Sequence, residues 1–479
     1  MRSLIISRRW VIALLAAVVV AVPAMVVSSA RAAHVAVRAA AAASPIKHVV
    51  VLYLENQSFD SVLGFWCDHH PARCPDGGMP HTVKLANGAA VTPSDDPDVV
   101  PVVGHKVIDQ KEAMDRGKMD GWYRIGGCKP PKYTCISGYK PSQEPNATAL
   151  ASRFTISDKF FSLADSPSFG GHLDIVTSSL DGFVGNLPRR VPGVKTGHGW
   201  GCDSDTAAPW SAGPGQPRKS VPACIPDPSL KVPNGGAFRP TPVAFKPTIM
   251  DELSKAHDSW KLYTGTCTDE LTQPNGLLFC RQSTGGYLWA MCPVIAQCLY
   301  TQSATHTEPT PKVVSDAANG NLPAFSIVTP GGPESEHNGF SMTAGDDFVG
   351  KVAKAIMNGP QWHSTVLFIT WDDCGCFYDQ VPPPSAPDGK QEGPRLPLVM
   401  VSPYARPSHT DTTSSSLASI LAFTEHNFGL PALGVNDAQA NDLSGAFNYH
   451  QAPLKPIRMV NRPVPRGDHI IWSQGKQDT

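Results

Sequence analysis

The sequence of 479 residues predicts an α/β fold: a mostly parallel central sheet with helices on both faces. Three observations carry that prediction. Two runs, His48-Val-Val-Val-Leu-Tyr-Leu54 and Thr365-Val-Leu-Phe-Ile-Thr-Trp371, are short, apolar and rich in β-branched and aromatic residues, the pattern of strands buried on both faces. Strand-like and helix-like segments alternate along the chain. Both runs also stop at hard donors, Glu55-Asn56 and Asp372-Asp373, and open α/β sheets bind ligands at the carboxyl ends of their strands.

The N-terminus reads as a targeting segment. Arg2, Arg8 and Arg9 precede an apolar run from Val11 to Val27, and Ala30-Arg31-Ala32 supplies a small-x-small cleavage pattern. Residues 1–32 are therefore expected to be a cleaved signal peptide, and Ser7-Arg8-Arg9-Trp10-Val11-Ile12 resembles the twin-arginine type. A retained anchor is the rival, but the run is broken by Pro23 and short for a span. The chain would then be secreted or held in the cell envelope.

Residues 33–45 follow as an Ala-rich linker, residues 46–450 as one domain carrying the site, and residues 451–479 as a peripheral tail containing prolines. Within the domain, Ala324–Val328 and Leu396–Val401 are further strand candidates. Phe348, Val352, Ala355 and Ile356 mark one face of a helix, with Asp346-Asp347 expected to cap its start and Asn358-Gly359-Pro360 to stop it. Leu417, Ile420 and Leu421 mark a second helix that Gly429 ends. The stretch from Leu187 to Pro247 is crowded with Gly and Pro and reads as a stapled surface insertion.

Twelve cysteines fall into neighbours: Cys67/Cys74, Cys128/Cys135, Cys202/Cys224, Cys267/Cys280, Cys292/Cys298 and Cys374/Cys376. An even count at short spacing fits disulfides in an oxidising compartment, and no array of zinc-ligand spacing competes with that reading. The last pair stands apart, because a bridge across one residue is strained. Lys plus Arg total 40 against 41 Asp plus Glu, so the basic excess expected of a nucleic-acid binder is missing. An apolar fraction of 41% excludes a disordered chain. Nothing points to an obligate protein partner, and no basic amphipathic helix follows the signal, so membrane contact would be transient and loop-borne.

Asp372-Asp373 follows a buried-looking strand and enters a Cys-Gly-Cys turn, where adjacent carboxylates repel unless a cation or donors sit between them. With Glu55 and Asn56, which alone could equally be a simple turn, they form a hard donor set for a metal-assisted site. Ser168, in the turn Asp165-Ser-Pro-Ser-Phe-Gly-Gly-His172, is a candidate nucleophile, although the same composition also suits an ordinary loop. His105 and His337 are candidate proton-transfer groups in polar loops, where a surface histidine is the commoner case.

The segment His48-Val-Val-Val-Leu-Tyr-Leu-Glu-Asn-Gln-Ser-Phe-Asp60 resembles the Glu-Asn-Arg-Ser-Phe-Asp signature of the bacterial phosphoesterase family, which includes phospholipases C, acid phosphatases and plant non-specific phospholipases C. The likeness continues, in order, through Gly117-Lys-Met-Asp-Gly-Trp122, Phe154-Thr-Ile-Ser-Asp-Lys-Phe-Phe161 and Ser166-Pro-Ser-Phe-Gly-Gly-His172. It resumes at Ser335-Glu-His-Asn338, Trp371-Asp-Asp-Cys-Gly-Cys-Phe-Tyr-Asp379 and Leu396-Pro-Leu-Val-Met-Val-Ser-Pro-Tyr404.

The resemblance implies an alkaline-phosphatase-like α/β fold with Gly/Pro-rich, disulfide-stapled insertions. It implies one divalent metal ion (Mg, Ca, Mn or Zn) on Glu55, Asn56, Asp372 and Asp373, with Ser168 at the nucleophile position. His105 and His337 match histidines expected near the phosphate, and His172 is carried over after them. The substrate implied is a phosphate ester or phospholipid, hydrolysed through a phosphoseryl intermediate. Two departures stand out. Gln380 replaces a histidine of many relatives and cannot transfer a proton, and Gly170-Gly171 replace bulkier residues, which should loosen the serine turn. The rival from another class is a secreted binding protein that kept the scaffold and lost catalysis. Glycosidase chemistry needs two opposed acids rather than a strand-end cluster with an amide.

Overall fold

The computed structural model describes residues 44–230, 241–273 and 276–465. The expected signal peptide and most of the linker lie outside the described residues. Eight strands form the central sheet: β1 (His48–Leu54), β2 (Thr155–Ser157), β3 (Trp260–Tyr263), β4 (Thr307–Glu308), β5 (Phe325–Val328), β6 (Thr365–Trp371), β7 (Leu398–Val401) and β8 (His409–Asp411). Their spatial order is β4-β3-β5-β1-β6-β7-β2-β8. The two runs that predicted the fold are central neighbours, paired parallel from His48↔Thr365 to Leu54↔Trp371. Val49 to Leu54 are fully buried, which requires cover on both faces of the sheet.

Strand β7 is the exception to the parallel pattern. It runs antiparallel to both β6 and β2, so the expected strand at 396–401 exists in shorter form with the opposite sense. Helices supply the cover in two layers. Helix α3 (Pro145–Arg153) packs on α5 (Met342–Asn358), while α4 (Ser168–Thr177) packs on α6 (Leu417–Phe428). The other helices that matter below are α1 (Phe59–His69) and α2 (Val107–Met114). Gly429 ends α6 at φ 67°, in the left-handed region that favours glycine. Among the described residues no helix is long and apolar enough to cross a membrane.

Asp346-Asp347 correct one expectation. Ser341, not this pair, caps α5, its hydroxyl accepting from the Ala344 N–H at 3.2 Å. Asp346 lies a turn inside the helix and caps a different one: its carboxylate accepts from the backbone N–H groups of Asn146 and Ala147 at the start of α3. Arg462, in the tail, donates to Asp346 at 2.8 Å and to Asp347 at 3.3 Å. The acidic pair thus ties α3 and the described part of the tail to α5, a long-range role that local periodicity does not reveal.

Five of the expected cysteine neighbours are bridged: Cys67–Cys74, Cys128–Cys135, Cys202–Cys224, Cys267–Cys280 and Cys292–Cys298. Cys374 and Cys376 remain buried thiols in hydrogen-bond contact. The insertion between 187 and 247 contains the Cys202–Cys224 staple and a three-stranded sheet, Arg189–Arg190, Thr206–Trp210 and Lys219–Pro222. It is more than a surface appendage, since Trp200, Ala208, Val221 and Ile225 join the main core.

Candidate active site

Register builds the centre of the site. Because Leu54 pairs with Trp371, the residues that follow, Glu55 and Asp372, leave the sheet side by side. The Asp372 N–H donates to the Leu54 carbonyl at 3.1 Å. Asn56 then turns through φ 63°, a left-handed conformation that asparagine tolerates, and its N–H donates to Asp372 Oδ1 at 2.9 Å. The turn after Asp373 fits closely beneath: a Cβ on Gly375 would lie 2.3 Å from the Asn56 carbonyl oxygen, and Gly375 itself has φ 51°. Only glycine fits there.

Two buried aspartates and one arginine fasten these loops from behind. Arg395 is fully buried and donates to Asp60 at 2.8 Å and to Asp379 at 3.0 Å, with its guanidinium 4.0 Å from the Phe59 ring centroid. Ser58 caps α1 and donates its hydroxyl proton to the Tyr378 carbonyl at 2.8 Å. The segment after β1 and the segment after β6 are therefore one unit. Asp60 and Asp379 stand inside the quoted motifs, but Arg395 had no sequence signal that assigned it a role.

The nucleophile candidate arrives from a third element. Ser168 is the first residue of α4, so its hydroxyl stands at the positive end of the helix dipole, where an alkoxide or phosphate is favoured. Its Oγ lies 3.5 Å from Asn56 Oδ1. The two glycines after it tighten the turn instead of loosening it. A Cβ on Gly170 would meet Ser166 Oγ at 2.1 Å, and one on Gly171 would meet the Asp372 carbonyl oxygen at 2.5 Å. Larger residues would push α4 off the end of β6.

One turn into α4, His172 Nε2 is 2.7 Å from Glu55 Oε1 and 3.9 Å from Asp372 Oδ2. Tyr53 packs edge-on against the imidazole and donates to the Gly171 carbonyl at 2.9 Å. Trp200 from the insertion also packs edge-on against the imidazole, 6.1 Å between centroids, so the insertion contributes to this corner. Glu55, His172 and Asp372 each present a donor atom within 4.8 Å of the other two. Asn56 turns its amide N–H₂ to Asn338 Oδ1 at 2.8 Å, leaving its oxygen toward Ser168. Asp373 Oδ1 accepts from the Gly375 N–H at 2.6 Å.

These residues fit a divalent cation. Glu55 Oε2, Asp372 Oδ2 and Asp373 Oδ2 are buried without a hydrogen-bond partner among the described residues, a costly state for carboxylate oxygens. Burial pushes the Glu55 carboxyl up to about 8. Burial and then the charge of Glu55 raise Asp372. Burial and then Asp372 raise Asp373. Buried acids that repel one another in this way are what a cation would hold ionised.

His105 and His337 pack edge to face, with ring centroids 6.2 Å apart, and Asn338 beside His337 accepts from Asn56. Nδ1 of each lies 2.9 Å from a backbone carbonyl, Val103 for His105 and Asn338 for His337. A carbonyl only accepts, so Nδ1 carries the proton and Nε2 is left as an acceptor in the neutral ring. Nε2 of His105 is buried without a partner among the described residues. Burial lowers both, His337 to about 4, so both rings are neutral near pH 7. Gln380 donates to the Gly78 carbonyl and serves as a loop clamp.

Comparison with known proteins gives a match to the Phosphoesterase family over residues 46–431. The chain is 24% identical over 505 residues to the non-hemolytic phospholipase C of Burkholderia pseudomallei, covering 88% of this chain and 62% of that protein. It is 24% identical over 394 residues to the non-specific phospholipase C6 of Arabidopsis thaliana, covering 75% and 62%. Phospholipase C A of Mycobacterium tuberculosis is 24% identical over 474 residues, covering 88% and 80%. The chain thus spans about three fifths of the first two relatives' length.

Proposed function

The chain belongs to the phosphoesterase family, and from that membership we propose that it is a metal-dependent hydrolase of phosphate esters with Ser168 as nucleophile. The observation that carries the reading is the meeting of Glu55, His172 and Asp372 beside a serine hydroxyl at a helix N-terminus. Glu55, His172 and Asp372 would hold one divalent cation, with Asn56 and Asp373 at its margin. A nitrogen donor beside carboxylates suits manganese or zinc, whereas the all-oxygen set expected from the sequence suited magnesium, calcium or manganese without choosing among them. Such an ion, when bound, supplies Lewis acidity and screens phosphate charge.

The chain's own groups then divide the work. Ser168 Oγ attacks phosphorus as its proton passes to a neutral histidine Nε2, its developing charge favoured by the N-terminus of α4. Asn56 fixes the hydroxyl from the side. His105 and His337 present unprotonated Nε2 atoms in the free protein; the negative charge of a bound phosphate raises their proton affinity, and the ring that takes the Ser168 proton donates it to the leaving alcohol as the P–O bond to that alcohol breaks. The same ring, neutral again, accepts a proton from the water that resolves the phosphoserine.

The substrate is proposed as a phospholipid, after the phospholipase C relatives, with a phosphomonoester as the second choice. Export is also part of the reading: five disulfides suit an oxidising compartment. A binding protein without catalysis is less favoured, because the serine, the acids and His172 are all present and assembled. The test is turnover of p-nitrophenyl phosphate, p-nitrophenylphosphorylcholine and phosphatidylcholine, with and without chelator. Chelator-sensitive turnover of at least one is expected; no turnover of any would sink the hydrolase.

A further inference from the structure

Four of the seven large apolar side chains exposed among the described residues belong to two segments, one flanking His105 in the chain and one in the insertion. Val102 is 65% exposed and Ile108 59%, each three residues from His105 in the chain. Val191 and Val194, 37% and 46% exposed, lie in one turn of the insertion, the Val194 N–H donating to the Val191 carbonyl at 3.1 Å. That turn is a run of seven exposed residues, 189–195, which also carries Arg189, Arg190 and Lys195. No acidic residue occurs between Asp181 and Asp203, so the tip is strongly cationic in a chain whose net charge is −1.

The root of this tip is fastened to the site. The Gly185 carbonyl accepts from the Gly170 N–H at 3.2 Å, two residues past Ser168. Asn186 Oδ1 accepts from the Val107 N–H at 3.2 Å, at the start of α2 and two residues past His105. The loop that carries the tip is therefore tied to the segments that carry Ser168 and His105. Apolar side chains with cations beside them, raised on a loop, match a surface that inserts shallowly at the headgroup boundary and is drawn there by negative charge.

We propose that the 189–195 tip, together with Val102 and Ile108, docks the protein on an anionic phospholipid bilayer so that the site opens onto the lipid surface. The inference rests on the hydrolase reading for its purpose but not for its test. Full-length protein is sedimented with phosphatidylcholine vesicles prepared with and without phosphatidylglycerol, and turnover of soluble p-nitrophenyl esters is measured beside it. Binding to the anionic vesicles, weakened by salt, is expected. Replacing Arg189, Arg190 and Lys195 by Gln together should weaken it at least about tenfold, as should Val191→Ser with Val194→Ser, while soluble turnover stays at the wild-type level and reports an intact fold. Wild type that ignores anionic vesicles, or variants that bind as wild type does, overturns the docking surface. Vesicle binding of the expected pattern without turnover of any ester supports the docking surface and removes the hydrolase reading instead.

Discussion

Glu55 Oε1 and His172 Nε2 lie 2.7 Å apart, both residues buried, with the second carboxylate oxygen of Glu55 left without a partner among the described residues. One contact joins the end of β1 to the second turn of α4, and it leaves the other Glu55 oxygen available to a cation. A divalent cation at this point should bind the folded chain and not the unfolded one, raising stability by about 2.7 kcal/mol at a hundredfold excess over its Kd. Thermal unfolding with manganese, zinc, magnesium or calcium against chelator measures this. His172→Ala should abolish the metal-dependent rise while keeping the far-ultraviolet circular dichroism of wild type. A variant with an undiminished rise would place the ion elsewhere.

Ser168 offers a sharper separation of roles. Replacing it with Ala removes one oxygen and leaves the helix start intact, since the capping contacts of α4 run through backbone groups at Pro167 and Gly185. Turnover should fall at least about a thousandfold, with the metal-dependent stability shift unchanged. Loss of both together would mean that the hydroxyl supports the cation site rather than the chemistry.

Much of this architecture could be read from residues alone. The bounds of β1 and β6 are those of the two hydrophobic runs, because a strand buried on both faces leaves no polar residue until it ends. Their adjacency was not legible, since strand order depends on which crossovers form. Nor was the reversed sense of β7, whose apolar run reads alike in either direction. The site was legible as acids and a serine in separate segments. His172 was the hard residue: in sequence it is a helical histidine four residues past Ser168, and only the packing of α4 on β6, allowed by Gly171, brings it to Glu55.

Arg395 tests how far the rear fastening supports the front. It is buried between Asp60 and Asp379, and removing one partner from such a network leaves charges that burial penalises. Arg395→Met keeps the volume and should cost about 3–5 kcal/mol in urea unfolding. Replacing Asp60, Asp379 and Arg395 together by apolar or amide residues should recover part of that loss. A single variant as stable as wild type would show that the two aspartates are satisfied without the guanidinium.

Glu425 supplies a pH dependence that does not involve the site. It lies in α6, is 2% exposed, and its Oε1 has no hydrogen-bond partner among the described residues. Burial and then the neighbouring Asp437 push its carboxyl up to about 10. An acid whose folded value is raised holds its proton more tightly in the folded chain than in the unfolded one, where it is released near about 4.3. Unfolding therefore releases a proton between those values, and this group's contribution to stability is full below about pH 4 and declines as pH rises toward 10. Glu425→Gln keeps the shape and removes the titration. Urea midpoints from about pH 5 to about pH 9 should then fall less steeply than in wild type, with the variant the more stable of the two at the alkaline end. Parallel curves would mean that Glu425 finds a way to ionise at no cost, through a local opening of the Leu433–Asp437 turn beside it.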